Sequence, residues 1–402
     1  MNLAAAFSPK IKLGVEGRTD LLEKIESSFA NLTQGRQVAW FHSASLGEFE
    51  QGRPVIEAFR KEYPEHFILL TFFSPSGYEI RKNYQGADFI CYLPIDTASN
   101  AQRFVQTVQP QIAFFIKYEF WFNYLKELRK SEAVIFSFST IFRKEQIFFK
   151  PFGGFYKNLL RYFDQILVQN IQSLELLKDS GLDNCSLAGD TRFDRVKSIA
   201  DQVQDLPVIA KFVGSDACLI AGSVWDNDML ELIPAFNGLG CQLKIIIAPH
   251  EIKKDEIEEW RNKLSASSTL YSQYKDNPAS QSFDILIIDN IGMLSSLYRY
   301  GSIAYIGGAF GAGLHNILEA ATFGLPIMFG NKTYDRFQEA KDLIARKGAF
   351  SVSDSSDIKR LLSDWCNNPQ SGLKIGDINK EYVLSQTGAT DKVMREVNKF
   401  LR

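Results

Sequence analysis

Residues 307–319, which read GGAFGAGLHNILE, hold the densest group of residues suited to binding a ligand. An apolar run, Ile303 to Ile306, leads into four glycines within seven residues, and a helical pattern starts near Leu314. Glycine lets backbone N–H groups approach a ligand without a Cβ in the way. A helix N-terminus adds unpaired N–H donors and a partial positive charge. Strand, glycine-rich turn and helix together predict an anion site, most often for a phosphate.

Three polar residues after these glycines favour a ligand over a purely structural turn. His315 and Glu319 are four positions apart, so they would share a helix face beside Asn316, one turn from the helix start. The alternative is a tight strand-to-helix turn that needs glycine only for its backbone angles. The glycines alone do not decide between the two. With the polar residues, a hydroxylated ligand that carries a phosphate is the better prediction.

Two acidic residues are candidates for a general base. Ser45 and Glu48 follow an apolar run and match the S-x-x-E capping box, in which the carboxylate only stabilises a helix start. A carboxylate just past the carboxyl end of a strand would also face a ligand, and the helix N-terminus would keep it ionised, as a base must be. Glu119 follows another apolar run, amid aromatic residues, and is either an exposed loop residue or a second acid at the site. Spacing alone does not make either residue catalytic.

Two further loops follow strand-length runs in the second half of the chain. Ser223 could donate to a phosphate, and His250 could touch a base or a sugar. Taken singly, a turn residue and a residue at a helix start are the commoner explanations. Their shared position past strand ends, like that of the glycine-rich segment, favours one joint site.

The stretch 140–163 combines aromatic and basic residues. It reads TIFRKEQIFFKPFGGFYKNLLRYF and holds eight aromatic residues, five Lys or Arg and one acid. This composition suits a membrane interface with anionic headgroups, or an acidic, acylated substrate. The alternative is a core helix with a solvated basic face, but Gly153 and Gly154 break the periodicity, and the adjacent Phe148 and Phe149 are hard to bury together. We therefore predict contact with lipid.

Length and composition exclude several classes of protein. At 402 residues two domains are expected, and a net charge of −2 gives no argument for nucleic acid. Five cysteines and four histidines are widely spaced without a C-x-x-C pair, so neither a disulfide framework nor a zinc site is indicated. Met1 to Phe7 is mildly apolar but far shorter than the about 20 residues that cross a bilayer. It is either the stump of a longer anchor or without a role.

Strand-length apolar runs alternate with helical patterns along the whole chain, six in each half. Continuous apolar strands alternating with helices predict parallel sheets covered on both faces. Twelve strands are too many for one ordinary sheet. We therefore predict an α/β fold of two doubly wound domains, divided within the polar stretch 196–207. Because ligands sit at the carboxyl ends of such strands, two facing domains would build one cleft.

These motifs, in this order, resemble the Kdo transferases, which add 3-deoxy-D-manno-octulosonic acid (Kdo) to a lipid A precursor. The segment from His42 to Glu48 resembles the H-x-x-S-x-G-E of that family, and Glu119 with Trp121 and Asn123 matches part of E-T-E-x-W-P-N. Residues 189–194 resemble G-N-x-K-F-D, and residues 307–319 resemble G-G-S…G-G-H-N-x-x-E. Residues 74–77 resemble T-P-T-G and residues 93–96 resemble L-P-x-D, so the similarity covers nearly the whole chain from about Lys10.

The resemblance implies a GT-B fold, that is, two Rossmann-like domains facing across a cleft, without a metal or other cofactor. Residues 1–196 would form the N-terminal acceptor domain and residues 197–402 the C-terminal domain that binds the donor CMP-Kdo, with the last helix free to pack back on the N-terminal domain. The implied activity is inverting transfer of Kdo to a lipid A precursor (lipid IVA) in lipopolysaccharide core biosynthesis. The enzyme would work at the cytoplasmic face of the bacterial inner membrane, peripherally or anchored by its N-terminus, touching the membrane surface through that N-terminus and residues 140–163.

The resemblance also assigns roles to residues. Glu48 would be the base and Glu119 a second acid in the acceptor site. The nucleotide side would comprise Ser223, Pro249, His250, Gly308, Gly311, Gly313, His315, Asn316 and Glu319.

The chain departs from the family motifs at several positions. Lys117 stands at the first acid of E-T-E and Phe122 at its proline. Trp225 replaces the histidine of the family's S-T-H, and Glu251 follows Pro249-His250 where the family has P-R-H, so the arginine is missing. Two other interpretations stay open: a GT-B enzyme that uses a UDP-sugar, and a catalytically inactive, lipid-binding homologue.

Overall fold

Two seven-stranded parallel sheets contain the apolar runs of the sequence. The computed structural model describes residues 9–276 and 282–401, and its contacts divide the chain into two units. Unit 1 contains the chain up to Arg195 and the segment from Gln386 onward, whereas unit 2 runs from Val196 to Ser385. The predicted α/β fold with two doubly wound sheets is confirmed.

The sheet of unit 1 has the strand order β3-β2-β1-β4-β5-β6-β7. Its strands are β1 (Val38–Ser43), β2 (Phe67–Phe72), β3 (Phe89–Tyr92), β4 (Pro110–Ile116), β5 (Val134–Thr140), β6 (Gln165–Val168) and β7 (Cys185–Leu187). The helices up to the end of this part of the chain are α1 (Pro9–Glu16), α2 (Leu21–Thr33), α3 (Leu46–Glu62), α4 (Pro75–Arg81), α5 (Ala98–Val108), α6 (Phe122–Lys130), α7 (Gly154–Leu160), α8 (Ile171–Asp179) and α9 (Thr191–Asp201), with a 3₁₀ turn at Ile147–Phe149. The order reverses between β1 and β4, which makes the carboxyl ends of these two strands the usual ligand position.

The sheet of unit 2 has the order β10-β11-β9-β8-β12-β13-β14. Its strands are β8 (Cys218–Val224), β9 (Lys244–Pro249), β10 (Ser268–Leu270), β11 (Ile285–Ile287), β12 (Ile303–Ile306), β13 (Ile327–Gly330) and β14 (Ala349–Val352). The remaining helices are α10 (Pro207–Val213), α11 (Asp226–Asn237), α12 (Lys254–Lys263), α13 (Tyr271–Asp276), α14 (Leu294–Leu297), α15 (Ile317–Thr322), α16 (Gln338–Ala345), α17 (Ser355–Asn367), α18 (Pro369–Gln386) and α19 (Ala389–Leu401), with a 3₁₀ turn at Tyr298–Tyr300. Here the order reverses between β8 and β12.

Apolar side chains cover both faces of the sheet in unit 1, as continuous apolar strands require. Along β1, Trp40 packs edge-on to Phe115 on one face. Its neighbour Phe41 stacks on Phe114 at 4.3 Å on the opposite face. All six residues of β1 are buried, and the polar ones lie at its carboxyl end.

The last helix, α19, packs against unit 1. Val393, Met394 and Val397 belong to the same apolar cluster as Phe41 and Phe114. The carboxylate of Asp194 accepts hydrogen bonds from the backbone N–H groups of Gly388 and Thr390, which fixes the start of this helix. The sequence left open which sheet this helix covers.

Two strands are not predicted by the apolar runs of the sequence. β7 and β10 have three residues each, include serines or a threonine, and occupy sheet edges. An edge strand pairs on one side only, so it needs no long apolar run to be formed.

No helix among residues 9–276 and 282–401 is long and apolar enough to cross a membrane. The predicted membrane contact of the first seven residues lies outside the described part of the chain.

Candidate active site

Glu48 lies where β1 passes into α3. Ser45 precedes the helix in an extended conformation, and Glu48 is in the first turn, half-buried. The Ser45 hydroxyl donates to Glu48 Oε2 at 3.1 Å instead of accepting from a backbone N–H, so the reciprocal capping box is not formed. The serine therefore orients the carboxylate.

Burial raises the pKa of Glu48, and the negative charge of Glu119 raises this pKa further. The hydrogen bond from Ser45 and the charge of Lys117 act in the opposite direction but are smaller. Loss of solvent therefore outweighs the groups that favour the ionised carboxylate. That the helix N-terminus keeps Glu48 ionised stays a prediction. A carboxylate with a raised proton affinity is a stronger general base.

Glu119 is buried, although it follows a strand in a loop. Trp121 Nε1 donates to its Oε2 at 2.6 Å, and His42 Nε2 lies 3.3 Å from the same oxygen. The interpretation as an exposed loop residue is therefore excluded. Since Glu48 follows β1 and Glu119 follows β4, both acids lie at the reversal of strand order in unit 1.

A buried polar chain fixes His42 behind Glu119. His42 and Thr71 are paired in register on β1 and β2, and His42 Nδ1 lies 2.8 Å from Thr71 Oγ1. Trp40 Nε1, which can only donate, is 2.8 Å from the same hydroxyl oxygen. Among the described residues the other acceptor near this hydroxyl is the Phe41 carbonyl, 3.5 Å away, so the hydroxyl proton is better placed for His42 Nδ1. With Nδ1 accepting from Thr71, His42 Nε2 donates to Glu119.

The glycines of unit 2 form a tight turn whose N–H groups are already used. Gly307 donates to the Gly222 carbonyl, and Gly311 and Gly313 both donate to the Gly308 carbonyl. Gly308 itself donates to the carboxylate of Asp228 at 2.8 Å. The N–H groups of these four glycines therefore stabilise the turn, and the predicted anion site stays a prediction. Gly308 and Gly313 have φ values of 92° and 116°, so the turn itself requires glycine.

The helix after this turn begins later than the pattern predicted. Asn316 caps α15 by accepting from the backbone N–H of Leu318, and His315 precedes the helix. His315 and Glu319 therefore do not share a helix face. Glu319 accepts from the amide of Asn316 at 3.0 Å and from the hydroxyl of Ser295 at 2.7 Å. These contacts give Asn316 and Glu319 a structural role at the helix start.

Asp228 ties the two loops of unit 2 together, and sequence reasoning missed it. This fully buried carboxylate accepts from the backbone N–H groups of Trp225 and Gly308 and from the hydroxyl of Tyr305, all at 2.8 Å. The available signal was its position, the third residue of a helix that starts after a strand.

Three rings meet at the carboxyl ends of β8, β9 and β12. Trp225 Nε1 donates to His315 Nε2 at 2.9 Å, and these two rings are inclined by only 11°. His250 stacks on both, with centroids 4.3 Å from Trp225 and 4.4 Å from His315. Burial lowers the pKa of His315 to about 4, with a further contribution from His250. Burial likewise lowers the pKa of His250.

A cavity of about 430 Å³ opens beside these rings. Ser223, Pro249 and His250 line it together with the segment 290–294. Ser223 sits at an irregularity of β8 with φ 53°, a conformation that a serine rarely adopts. The structure thus brings Ser223, Pro249, His250 and His315 together. Gly311 and Gly313 instead face Asn227 and Arg336.

Known structures share this architecture. UDP-GlcNAc 2-epimerase from Neisseria meningitidis matches with a TM-score of 0.63 and 13% identity, over 90% of this chain and all of that chain. Acinetobacter baumannii MurG matches with a TM-score of 0.57 and 12% identity, over 90% and 99%. The protein therefore has the two-domain fold of the GT-B class.

The sequence comparisons find relatives among the Kdo transferases. The family model described as 3-Deoxy-D-manno-octulosonic-acid transferase (kdotransferase) matches residues 19–195. The 3-deoxy-D-manno-octulosonic acid transferase of Aquifex aeolicus is 25% identical over 81% of this chain and 85% of that protein. The Rickettsia felis enzyme is 25% identical over 94% and 81%. The predicted resemblance is confirmed, and the chain is a glycosyltransferase related to the Kdo transferases.

Proposed function

We propose that this protein transfers Kdo from CMP-Kdo to a hydroxyl group of a lipid A precursor, with inversion at the anomeric carbon. The observation that carries the proposal is the half-buried Glu48, oriented by Ser45 at the carboxyl end of β1, with a pKa raised by burial and by Glu119. In this proposal unit 1 holds the acceptor and unit 2 holds the donor. The Kdo transferases among the relatives support the choice of sugar.

The reaction needs one proton acceptor and one leaving group. Glu48 takes the proton of the acceptor hydroxyl while the oxygen forms its bond to the anomeric carbon of Kdo. The bond between that carbon and the phosphate oxygen breaks, and its electron pair leaves with CMP. Donors aimed at the phosphate offset the charge that develops there. Ser223 and His315 are the candidates for this role in unit 2.

Replacing the proposed base tests this function. In Glu48→Gln the side chain keeps its shape but cannot take a proton, so we expect kcat to fall about 10²- to 10⁴-fold. The measurement is CMP release from CMP-Kdo plus a tetra-acylated acceptor, with the product identified by mass spectrometry.

The matched control is Glu50→Gln on the same helix. Glu50 pairs with Arg81 and Arg195, and it has no part in the proposed reaction. We expect this variant to retain most of its activity. Turnover near that of the wild type in a folded Glu48→Gln protein would rule out Glu48 as the base.

We further propose that the segment 140–163 touches the lipid surface from which the acceptor is taken. Part of the segment is core, since Phe142 and Phe163 are buried. The exposed fractions of Phe152 and Phe155 are 78% and 55%, and Tyr156 is also exposed. Arg143 and Lys144 are exposed in the same segment. Exposed aromatic rings next to cations suit the interface of an anionic membrane.

A further inference from the structure

We propose that Trp225 is a positioning residue of the nucleotide site, which holds His315 in the tautomer whose Nδ1–H donates to the phosphate of a nucleoside monophosphate sugar. This inference rests on the proposed function, since it names how that donor is recognised. Trp225 stands where the resembling family has a histidine, so the device belongs to this chain.

The hydrogen bond between the two rings fixes the proton on His315. An indole N–H can only donate, so His315 Nε2, at 2.9 Å, must present its lone pair. The single ring proton of neutral His315 is therefore on Nδ1. Within the described residues no acceptor for this Nδ1 proton is found, so it is available to a ligand.

The surrounding groups keep His315 neutral at ordinary pH. Protonation of Nε2 would place two N–H groups against each other across the bond to Trp225. Burial and the neighbouring His250 lower the pKa of His315 to about 4, which agrees with this geometry. Glu251, which faces His250, favours its protonated form, but less strongly than burial opposes it. A neutral donor binds the monoanionic phosphodiester of a sugar nucleotide without adding a buried charge.

The backbone holds both rings in place. Asp228 accepts from the N–H groups of Trp225 and Gly308, so it fixes the start of each loop relative to the other. A Cβ on Gly308 would lie 2.9 Å from His315 Cδ2 and 2.2 Å from the Gly313 carbonyl oxygen. Only a glycine therefore leaves room for the histidine ring. His250, stacked on both rings, also lines the 430 Å³ cavity, so the group of three rings adjoins a space for a ligand.

A histidine at position 225 would not have the same effect. Imidazole can present either an N–H or a lone pair to its neighbour, and it exchanges between the two. Indole has only the N–H donor, so the neighbouring His315 nitrogen must accept and His315 is restricted to one tautomer. The stack with His250 further restricts the rotation of both rings.

The test removes the indole N–H and keeps an aromatic ring. In Trp225→Phe we expect His315 to become a mixture of tautomers, measured by ¹⁵N NMR of its imidazole in the ligand-free protein. In the wild type the same spectrum should show the Nδ1–H form. We expect the affinity for CMP, measured by calorimetry, to fall about 3- to 10-fold, because the hydrogen bond that orients His315 is lost.

A double-mutant cycle separates positioning from a general packing effect. If Trp225 acts through His315, Trp225→Phe should change the CMP affinity little in a His315→Gln background. An equal loss in both backgrounds, or an Nε2–H form of His315 in the wild type, would overturn the inference. The NMR measurement needs no nucleotide, so it tests the tautomer of His315 on its own. If the wild-type protein binds no CMP, both the proposed function and the proposed ligand of this site are refuted.

Discussion

The proton affinity of Glu48 depends on a second acid, Glu119, which acts on it through its charge. Burial raises the pKa of Glu48, and the charge of Glu119 adds to this effect. Glu119 in turn is held by Trp121 and His42, so its carboxylate is fixed in place. In the proposed reaction, Glu48 would take the proton and the charge of Glu119 would make it a better base.

This arrangement predicts a shift in the pH profile. A base must be deprotonated, so kcat/KM should fall as the pH drops through the pKa of Glu48 in the free enzyme. In Glu119→Gln the negative charge is gone, the pKa of Glu48 decreases, and the acidic limb of the profile should move to lower pH. The overall rate is expected to fall as well, because the base is weaker.

The control for this shift is again Glu50→Gln, whose charge is neutralised by Arg81 and Arg195. Its acidic limb should coincide with that of the wild type. If the limb stays in place in Glu119→Gln, the charge of Glu119 does not tune Glu48.

Which residues could be found from the sequence follows from how local their contacts are. Glu48 and Glu119 could be proposed from the sequence because each comes just after a strand. His42 and Thr71 are 29 positions apart and meet only because β1 and β2 pair in a particular register, which no single sequence specifies. In the sequence Trp225 stands out only as a departure from the family motif, because its partner His315 lies 90 positions away.

At the scale of elements, the aromatic–basic segment is divided between core and surface. Phe148 and Phe149 pack on Phe142 but are only half-buried. This agrees with the prediction that the pair is hard to bury. The exposed rings lie at and after the break at Gly153 and Gly154, in Phe152, Phe155 and Tyr156. The exposed rings therefore cluster around the glycine break, whereas the buried Phe142 and Phe163 lie towards the two ends of the segment.

Two variants test the lipid contact of this segment. Neutralising Arg143, Lys144 and Lys150 together should weaken binding to anionic liposomes about 100-fold at low salt, since each cation near such a surface contributes about 1 kcal/mol. Phe152→Ser with Phe155→Ser should weaken it at low and high salt alike, because apolar burial is not screened. Liposome co-sedimentation measures both.

Ile80→Ser is a matched control for the aromatic variants. Ile80 is 58% exposed in unit 1, on a different helix, so its loss removes apolar surface outside the segment. Its liposome binding should equal that of the wild type. Unchanged binding after both sets of substitutions in the segment would show that residues 140–163 are only part of the protein surface.

The turn before α15 shows why element boundaries were harder to predict than elements. Leu314, Ile317 and Leu318 are all buried and have helical spacing, yet only the last two are in the helix. Leu314 is buried because the turn folds back, with the backbone N–H of His315 bonded to the Gly307 carbonyl. The spacing of apolar residues predicts which of them are buried. Here one of these residues, Leu314, is buried in a loop and not in the helix.

At the scale of the whole molecule, the two units differ in how many segments of the chain form them. Unit 2 is one continuous segment from Val196 to Ser385, whereas unit 1 needs the segment from Gln386 onward. The amphipathic pattern of α19 indicates that one face is buried but not against which sheet. That information lies in side chains such as Met394, which joins the cluster around Phe41.

This division predicts that core substitutions act on one unit at a time. Met394→Ala removes a buried side chain from unit 1, and Met328→Ala removes a fully buried one from the core of unit 2. Each should lower the free energy of unfolding of its own unit by about 2–5 kcal/mol. If CMP binds to unit 2, a concentration of 100 times Kd should stabilise that unit by about 2.7 kcal/mol, and UMP should have a smaller effect than CMP.

Calorimetric unfolding distinguishes the outcomes, because CMP marks the transition of the unit that binds it. We expect Met328→Ala to lower the transition that CMP raises, and Met394→Ala to lower the other. The two substitutions serve as controls for each other, since both shorten a buried methionine. If Met394→Ala lowers the CMP-sensitive transition instead, the nucleotide is bound by unit 1, and the proposed division into acceptor and donor units is reversed. Stronger stabilisation by UMP than by CMP would favour a UDP-sugar as the donor.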